Sequence, residues 1–563
     1  YGYDAHGNLT RITLPDGNSE RLGYDALGNV VSATDASGRT VSLEVDWRGN
    51  PVSATGEGLG SETYAYDKEG RLTSFTDAAG RSASTVYDLW GSAVLDVSVQ
   101  GQMTATTYDE LGRVVSETDA TGATTRYGYD GRGNLTSLID PFGAATRYGY
   151  DAAGRMIQVV DALGPVTALE VDAAGNALTE TDPDGYVSRF SYDALGRQIA
   201  SVNGRGDAMS VVYDGAGNIT SVTDGEGNTE AYAYDLAGQL ISRTDALGNA
   251  ENLSYDVRGN AVAYEEAGGA TSTFAYDKCG NLVAKTDPLG ATTRYEVDAL
   301  GLATQVVEAN GAVYQYAYDG AGRMTRAQSP LGYVRSFTYG AADLPLTETD
   351  SLGLSISYEL DAFGRITQAT AAGAAETFAY DKRGNLTSHT DRTGATESFA
   401  YDALSRLIGY RDGAGTEEAY GYDRRGNVTS VTAGSSRTSY AYDGASNLTS
   451  VSRGSKVAAR YSYDHAGRAV SAEDGAGNKT TYAYDAVGNL TKETDSTGAV
   501  WRYDYDAQGN VVSSTSPANA QQRWVYDAAG RLAETQDADG AKTVYGRDVL
   551  GNVTSVTDAL GRV

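Results

Sequence analysis

Hydrophobic and polar positions alternate along this chain in a unit of 21 residues that repeats from one end to the other. The unit is clearest at residues 480–500, TTYAYDAVGNLTKETDSTGAV, where an alternating aromatic segment is followed by Asp-x-x-Gly-Asn, a Thr-rich segment and a second Asp-x-x-Gly. With the Tyr before the first Asp taken as an anchor, 27 units run from Tyr3 to Arg547, and only two intervals are shortened to 20 residues. A fixed period of this kind predicts a repeat architecture.

The aromatic positions predict one strand of each unit. The anchor is Tyr in 22 of the 27 units, as at Tyr129 and Tyr484, and the position two residues earlier is aromatic in 20 units. Residues i and i+2 of a strand lie on the same face, so each unit places two aromatic side chains on one side. Such side chains form favourable pairs across neighbouring strands. We interpret them as wall packing and keep an aromatic ligand-binding face as the alternative.

The residues after the anchor predict a tight turn. Asp follows the anchor in 26 units, as at Asp130 and Asp485, and Gly lies three residues later in 24 units, as at Gly133 and Gly488. Asp hydrogen-bonds its own backbone, and Gly accepts the positive φ that reverses the chain. Asn follows in 14 units and Arg in nine. We therefore predict that these positions are structural repeat positions.

The second Asp-x-x-Gly predicts a looser turn, because both shortened units lose their residue there. Two strands joined by connections this short pair antiparallel, so each unit is a β-hairpin step. The chain then has on the order of 54 strands, and open sheets rarely stay flat beyond about ten strands. We therefore predict an all-β strip of hairpins that coils around an enclosed space.

The composition of the chain excludes some classes of function and leaves the predicted fold as it is. The chain has 44 basic and 74 acidic residues, a net charge of −30, which argues against binding nucleic acid through phosphates. One Cys excludes a disulfide framework within the chain. No apolar run is long enough to span a bilayer, and we expect any export signal to lie outside residues 1–563. Because the repeat begins and stops inside a unit, we expect residues 1–563 to be one continuous array from a longer protein.

The repeat resembles the YD repeat of the Rhs family, on the motif Tyr-Asp-Ala-x-Gly-Asn/Arg-Leu-Thr at residues 129–136 and 484–491. That family includes bacterial polymorphic toxins, wall-associated proteins, the C subunits of Tc toxins and the animal teneurins. The resemblance implies a hollow β-shell, or cocoon. In toxin members the shell holds a C-terminal effector, which is cut free inside. It also implies a secreted or cell-surface location.

The chain departs from toxin members where their repeats end. Those members carry Asp-Pro-x-Gly-Leu near the cleavage site, whereas here Asp287-Pro288-Leu289-Gly290 is followed by Ala291 at an ordinary second turn. No protease residues are therefore carried over. We predict no catalytic residue, cofactor or metal.

Candidate chemistry outside the repeat is sparse. His6 and His465 lie in first turns and His389 lies in a strand, without ligand spacing, and Cys279 lies in a turn. Nucleophilic triads are therefore not indicated. Asp-x-Asp-Gly at residues 182–185 and 537–540 invites a calcium interpretation, but the spacing differs from known calcium loops, and turn chemistry explains it.

We therefore expect a non-enzymatic shell segment whose partner is an enclosed toxin or effector polypeptide in the same or an associated chain. The alternative is a cell-surface or fibre protein that binds a surface glycan or a cell-surface protein. A hydrolase is a third, less favoured class.

Overall fold

The computed structural model describes residues 1–56, 58 and 60–563, and every regular element in that part of the chain is a β-strand. There are 54 strands, and the described residues contain no helix that could cross a membrane. The prediction of an all-β protein with two strands per unit is confirmed.

The strands of the first part of the chain are β1 (Gly2–Tyr3), β2 (Leu9–Thr13), β3 (Ser19–Tyr24), β4 (Val30–Thr34), β5 (Thr40–Val45), β6 (Pro51–Gly56), β7 (Gly60–Tyr66), β8 (Leu72–Thr76), β9 (Ser82–Tyr87), β10 (Ala93–Val97), β11 (Met103–Tyr108), β12 (Val114–Asp119), β13 (Thr124–Tyr129), β14 (Leu135–Ile139), β15 (Ala145–Tyr150), β16 (Met156–Asp161), β17 (Gly164–Val171) and β18 (Ala177–Thr181). The middle part contains β19 (Val187–Tyr192), β20 (Gln198–Val202), β21 (Ala208–Tyr213), β22 (Ile219–Thr223), β23 (Thr229–Tyr234), β24 (Leu240–Thr244), β25 (Ala250–Tyr255), β26 (Ala261–Glu265), β27 (Thr271–Tyr276), β28 (Leu282–Thr286), β29 (Thr292–Val297), β30 (Ala303–Val307), β31 (Val313–Tyr318), β32 (Met324–Gln328), β33 (Val334–Tyr339), β34 (Pro345–Asp350), β35 (Ser355–Leu360) and β36 (Ile366–Ala371). The last part contains β37 (Ala374–Tyr380), β38 (Leu386–Thr390), β39 (Thr396–Tyr401), β40 (Leu407–Arg411), β41 (Glu417–Tyr422), β42 (Val428–Ala433), β43 (Ser436–Tyr442), β44 (Leu448–Arg453), β45 (Lys456–Tyr463), β46 (Ala469–Asp474), β47 (Lys479–Tyr484), β48 (Leu490–Thr494), β49 (Val500–Tyr505), β50 (Val511–Thr515), β51 (Gln521–Tyr526), β52 (Leu532–Gln536), β53 (Lys542–Arg547) and β54 (Val553–Thr557).

Each strand pairs antiparallel with its neighbours in the chain, from β1–β2 to β53–β54. Two kinds of hairpin alternate. Where the first turn joins β47 to β48, the register slips between Ala483 and Tyr484, which is a bulge at the anchor. Where the second turn joins β48 to β49, the register continues without a slip. Both turns share the Asp-x-x-Gly spacing, so that spacing alone does not produce the bulge, which lies where Tyr484 pairs with Leu490.

The two shortened units differ from the others only at the second turn. Between β36 and β37 the turn consists of Ala372 and Gly373, with φ of 52° and 81°. Between β42 and β43 it consists of Gly434 and Ser435, and Gly434 has φ of 56°. The missing residue is therefore absorbed in a two-residue turn, and the neighbouring ladders stay in register.

The strip coils, because residues far apart in the chain meet along its edges. Oγ of Ser37 lies 3.0 Å from Sγ of Cys279, 242 residues later. The guanidinium of Arg205 donates to the carbonyl oxygen of Asp464 at 2.5 Å, 259 residues later. These separations correspond to about 12 units, or about 24 strands, per coil. At ~4.8 Å per strand the perimeter is ~115 Å and the mean diameter ~37 Å.

The recurrence of Val at the anchor positions 45, 171 and 297, at intervals of 126 residues, therefore does not mark one coil. A coil of six units would be only ~18 Å across. The observed coil has about twice as many units, so positions 45 and 297 fall about one coil apart.

The wall is a single layer without a central core. Among the described residues the buried hydrophobic side chains are Ala123, Ala369 and Ala371, and none of the side chains described is fully buried. Along β47 exposure alternates, with Tyr482 and Tyr484 half-buried on one face and Thr481 and Ala483 exposed on the other. Stability of such a wall comes from contacts between neighbouring units.

Candidate functional site

The anchor tyrosines join each unit to the preceding one. The hydroxyl of Tyr129 donates to the carbonyl oxygen of Val114 at 2.8 Å, and that of Tyr484 donates to Ala469 at 2.8 Å. In each case the acceptor opens the second strand of the preceding unit, so the bond continues strand pairing beyond the backbone ladder. The same bond, at the same spacing of 15 residues, is made by Tyr24, Tyr66, Tyr87, Tyr108, Tyr150, Tyr213, Tyr255, Tyr276, Tyr318, Tyr339, Tyr422, Tyr463, Tyr505 and Tyr526.

In the last unit the anchor is not aromatic, but it makes the same hydrogen bond as the anchor tyrosines of the other units. Arg547 replaces Tyr there, and its Nη2 donates to the carbonyl oxygen of Leu532 at 2.8 Å, again 15 residues earlier. Partial burial raises the pKa of anchor Tyr484, which keeps its hydroxyl protonated and able to donate.

The Asp after the anchor holds the first turn together with both carboxylate oxygens. Oδ1 of Asp130 accepts the backbone N–H groups of Arg132 and Asn134, both at 2.9 Å. Oδ2 accepts from Nδ2 of Asn134 at 2.9 Å. Hydrogen bonds from the Asn134 side chain lower the pKa of Asp130. Asp485 makes the same set with Val487 and Asn489.

Units with Arg in place of Asn connect neighbouring turns. Nε of Arg468 donates to Oδ2 of Asp464 at 2.7 Å, and its Nη1 donates to the carbonyl oxygen of Asp485, in the next first turn, at 3.0 Å. Its Cζ lies 5.0 Å from the ring centroid of Tyr484, within range of a cation–π contact. Arg at this position therefore acts on two units at once.

The turn glycines have the predicted backbone conformation. Gly133 and Gly488 have φ of 92° and 96°, and the N–H of Gly133 donates to the carbonyl oxygen of Asp130 at 3.1 Å. Where Ser replaces Gly, at Ser405 and Ser446, φ stays positive at 60° and 63°. The geometry places all six predicted repeat positions in this turn and anchor network.

Successive coils meet along a seam in which first turns of one coil contact second turns of the coil before it. Nε of Arg383 lies 2.5 Å from Oδ2 of Asp140, and Nε of Arg425 lies 3.0 Å from Oδ2 of Asp184. The seam is polar and made of turns, and no backbone ladder crosses it in the described residues.

A groove of about 740 Å³ lies on this seam. The second turns near Asp224 and Asp245 line one side, and the first turns near Asp485 and Asp506 line the other. Carboxylates dominate its lining, with Arg243 among them. The charge of the groove disfavours anionic ligands.

Carboxylates also lie among the aromatic side chains. The hydroxyl groups of Tyr64, Tyr127 and Tyr420 donate to Glu62, Glu117 and Glu418 at 2.6, 2.6 and 2.5 Å. Hydrogen bonding to these carboxylates, with burial, raises the pKa of each tyrosine to about 12. The pairs satisfy polar groups within the wall.

The single Cys and two of the three His have roles that the sequence did not predict. His465 Nδ1 lies 2.9 Å from Oδ1 of Asp207 across the seam, where Cys279 also lies. His389 stacks on Phe378 with ring centroids 4.8 Å apart. Only His6 matches the interpretation of an unremarkable exposed turn residue. The sequence carries no signal for the seam contacts, because they depend on the number of units per coil.

The two calcium-like motifs are turns. Oδ1 of Asp182 accepts the backbone N–H groups of Asp184 and Tyr186 at 2.9 Å, and Asp184 faces Arg425. Oδ1 of Asp537 likewise accepts backbone N–H groups of its own turn. Within the described residues no three acidic, His or Cys side chains are arranged to hold a metal ion.

Comparison with known families identifies the repeat. The Teneurin YD-shell model matches residues 184–355 and 347–481, which together cover more than half of the chain. The RHS Repeat model matches residues 3–40, 108–145, 129–166, 463–500, 484–521 and 526–563. No curated protein sequence matches the chain.

Solved structures share the fold. A crystal structure of TcdB2-TccC3-TEV matches 96% of this chain and 40% of its own chain with a TM-score of 0.69 at 15% identity. The Photorhabdus luminescens Tc holotoxin pore, with a mutated TccC3, matches 97% of this chain and 33% of its own with a TM-score of 0.52 at 15% identity. The chain thus spans less than half the length of either. The chain belongs to the RHS/YD-repeat family of β-shell proteins.

Proposed function

We propose that residues 1–563 form one continuous domain, the wall of a hollow container in an exported protein, which encloses a toxin or effector polypeptide of the same or an associated chain. The observation that carries this proposal is the coil itself. About 12 units per coil leave a lumen ~27 Å wide once a side-chain layer of ~5 Å is subtracted on each side.

The width of the lumen limits the cargo. A folded domain of 100 residues has a radius of gyration of ~13 Å and would reach from wall to wall. An extended segment is only about 10 Å across and fits within this width, whereas an unfolded chain of 100 residues, with a radius of gyration of ~30 Å when free, would fit only if the wall confined it. We therefore expect the enclosed polypeptide to lack a compact fold while it is inside.

The network of repeat side chains supports a container without chemistry of its own. Anchor tyrosines, turn Asp residues and the Asn or Arg partners direct their hydrogen bonds at the wall itself, as at Tyr129 and Asp130. When strand propensity, turn chemistry and side-chain hydrogen bonds of the repeated residues all serve the same structure, an architectural role is favoured.

Protease protection tests the proposal. An unstructured reporter peptide is fused after Val563, and the same peptide is added in trans as the control. We expect the fused peptide to be digested much more slowly than the free peptide, and cryo-electron microscopy to show density inside the wall. Equal digestion rates with an empty lumen would contradict containment.

The seam groove favours a second candidate, a surface protein that binds glycans. Its lining combines Tyr264 and Tyr503 with carboxylates, and aromatic faces with nearby polar groups suit sugar rings. Binding on a glycan array that is lost in Tyr503→Ala would favour this function.

A further inference from the structure

A short row of basic side chains crosses the last part of this acidic chain. Lys479 in β47, Lys492 in β48, Arg502 in β49 and Arg523 in β51 lie on the sheet face opposite to the anchor tyrosines, and all four are exposed. We call these four residues the basic row. At ~4.8 Å per strand the row extends ~19 Å across the strands. The whole chain has a net charge of −30, so the row is a local concentration of the opposite charge.

Two members of the basic row lie against each other. Lys492 and Arg502 are directly opposite in the ladder between β48 and β49. Like charges in this arrangement destabilise a sheet. The preceding hairpin holds uncharged residues at the same positions, with Ser471 opposite Thr481. A position that breaks a structural rule without a local benefit is characteristic of a functional site.

The charges of the basic row are not neutralised by the wall. None of the four side chains forms an ion pair in the part of the chain that the structure describes. Three carboxylates lie beside the row on the same face, and each has its own partner: Glu473 with Arg460, Asp504 with Ser513 and Glu534 with Lys542. The cations of the row are therefore available to an external anion.

The surroundings of the row fit a chain of sugars better than other polyanions. Thr481, Thr494 and Thr515 lie on the same face, and their hydroxyl groups can donate and accept hydrogen bonds. Single-stranded nucleic acids stack their bases on aromatic side chains, but Trp501 and Tyr503 lie on the other face. An extended acidic peptide adds to a sheet at a free strand edge, whereas β47 to β51 are paired on both sides.

The face that carries the basic row is also the more exposed one. On β47, Thr480 on the tyrosine face is half-buried, whereas Thr481 on the face of the row is exposed. Side chains diverge on the convex side of a curved sheet and converge on its concave side. The difference in exposure therefore favours the convex, outer side of the coil for the row.

We propose that the basic row lies on the outside of the wall and binds a linear anionic glycan, whose sulfate or carboxylate groups contact Lys492 and Arg502. Arg and Lys form strong, charge-assisted hydrogen bonds with such groups. The many carboxylates elsewhere in the chain act weakly at this site, because exposed charges more than ~8 Å apart are largely screened at physiological ionic strength. The interaction is separate from the seam groove and does not depend on containment.

Binding of the intact chain to immobilised heparin, a sulfated glycan, tests the proposal. The double variant Lys492→Ser/Arg502→Ser introduces a residue type that other units have at these positions, as at Ser471 and Ser42. It is expected to bind heparin about tenfold or more weakly, because two charged contacts are lost. Its thermal unfolding midpoint should be unchanged or higher, because the repulsion between the two cations is removed.

A matched control separates the row from general charge attraction. Arg189→Ser/Arg294→Ser removes the same charge from two positions of the same face that lie opposite uncharged residues. It is expected to weaken binding less than about twofold. Polyglutamate and single-stranded DNA are the comparison polyanions. Heparin binding that only the first variant loses supports the proposal. A parent chain that does not bind heparin, an equal loss in the control, or equally tight binding of polyglutamate or DNA would overturn it.

Discussion

The first and second turns of each unit close the backbone in the same way but differ in what their side chains do. In the second turn at Leu14 the N–H of Leu14 donates to Asn18 and that of Gly17 donates to Leu14, so the turn closes without a carboxylate at its first position. First turns nearly always keep Asp, whose second oxygen holds the Asn or Arg that follows, whereas only some second turns do so, as at Asp77 and Arg81. First turns that carry Arg are thus bonded to the next first turn along the strip, whereas second turns contact other parts of the chain across the seam.

This difference explains where the chain tolerates change. Both shortened units lose a residue in a second turn, and Ser98 and Ser329 replace Asp in second turns with the backbone closure intact. A turn whose closure does not require a carboxylate can vary in sequence and in length. We expect substitutions in first turns to cost more stability, and to spread further, than matched substitutions in second turns.

The largest expected effect is from a β-branched residue at a turn Gly. Gly488 has φ of 96°, and an added Cβ would lie 3.9 Å from Cδ of Arg468, which links two units. Gly488→Val should cost about 1–3 kcal/mol. Gly498→Val, in the second turn with φ of 86° and open space around it, is the control. Hydrogen exchange should show loss of protection in two units for Gly488→Val and in one unit for Gly498→Val. Loss of protection in the same number of units for both variants would contradict the difference between first and second turns.

Removing a first-turn carboxylate should have the next largest effect. Asp381 accepts the backbone N–H groups of Arg383 and Asn385 and the Asn385 side chain at 2.8–2.9 Å. Asp381→Ala should cost about 2 kcal/mol, because three bonds to a charged acceptor are lost. Ser329→Ala in a second turn loses a bond of 3.2 Å and should cost less. Urea unfolding of both variants measures the difference, and a larger loss for Ser329→Ala would contradict the comparison.

Deleting an anchor hydroxyl should have a smaller effect. Tyr484→Phe keeps the ring but removes the bond to Ala469, and should cost about 1 kcal/mol. Tyr482→Phe is the control, since the described residues offer its hydroxyl no partner. Thermal unfolding should show a lower Tm for Tyr484→Phe, and identical melting of the two variants would show that the bond adds no stability.

The smallest expected effect is a local loss of stability in first turns at acidic pH. The pKa of Asp130 is held below its ordinary value by hydrogen bonds from Asn134. Its contribution to stability is therefore complete above the unfolded pKa of 3.8 and is lost as pH falls through the lower, folded value. Amide exchange around Gly133 should accelerate over that range. The turn at Ser98 has no titrating group at its first position and should change less.

The repeat predicted the strands and turns well, because their causes are local. The alternation around Tyr484 and the spacing from Asp485 to Gly488 act within a few residues, and the structure has the expected strands and positive φ there. The bond from Tyr484 to Ala469 was not predictable, because its acceptor is a backbone atom of another unit. The aromatic columns indicated packing but not this partner.

The seam was beyond sequence reasoning for a different reason. Which turn meets Cys279 or His465 depends on the number of units per coil, and that number sums small twists over many strands. If the predicted number of units per coil were wrong by one, each first turn would be matched with the wrong second turn. The position of the acidic groove on the seam follows from the same number.

A disulfide across the seam tests the coil most directly. Cys279 is the only cysteine, and its Sγ lies 3.0 Å from Oγ of Ser37, so Ser37→Cys creates a single possible pair within the chain. Mild oxidation at low concentration should close this pair within the monomer, visible as a faster band on a non-reducing gel and as one linked peptide by mass spectrometry. Leu163→Cys is the comparison, because its turn would lie near Cys279 only if a coil contained about six units. A closed monomer for Ser37→Cys alone is the predicted result; an open monomer for Ser37→Cys, or closure through position 163, would contradict the coil of about 12 units.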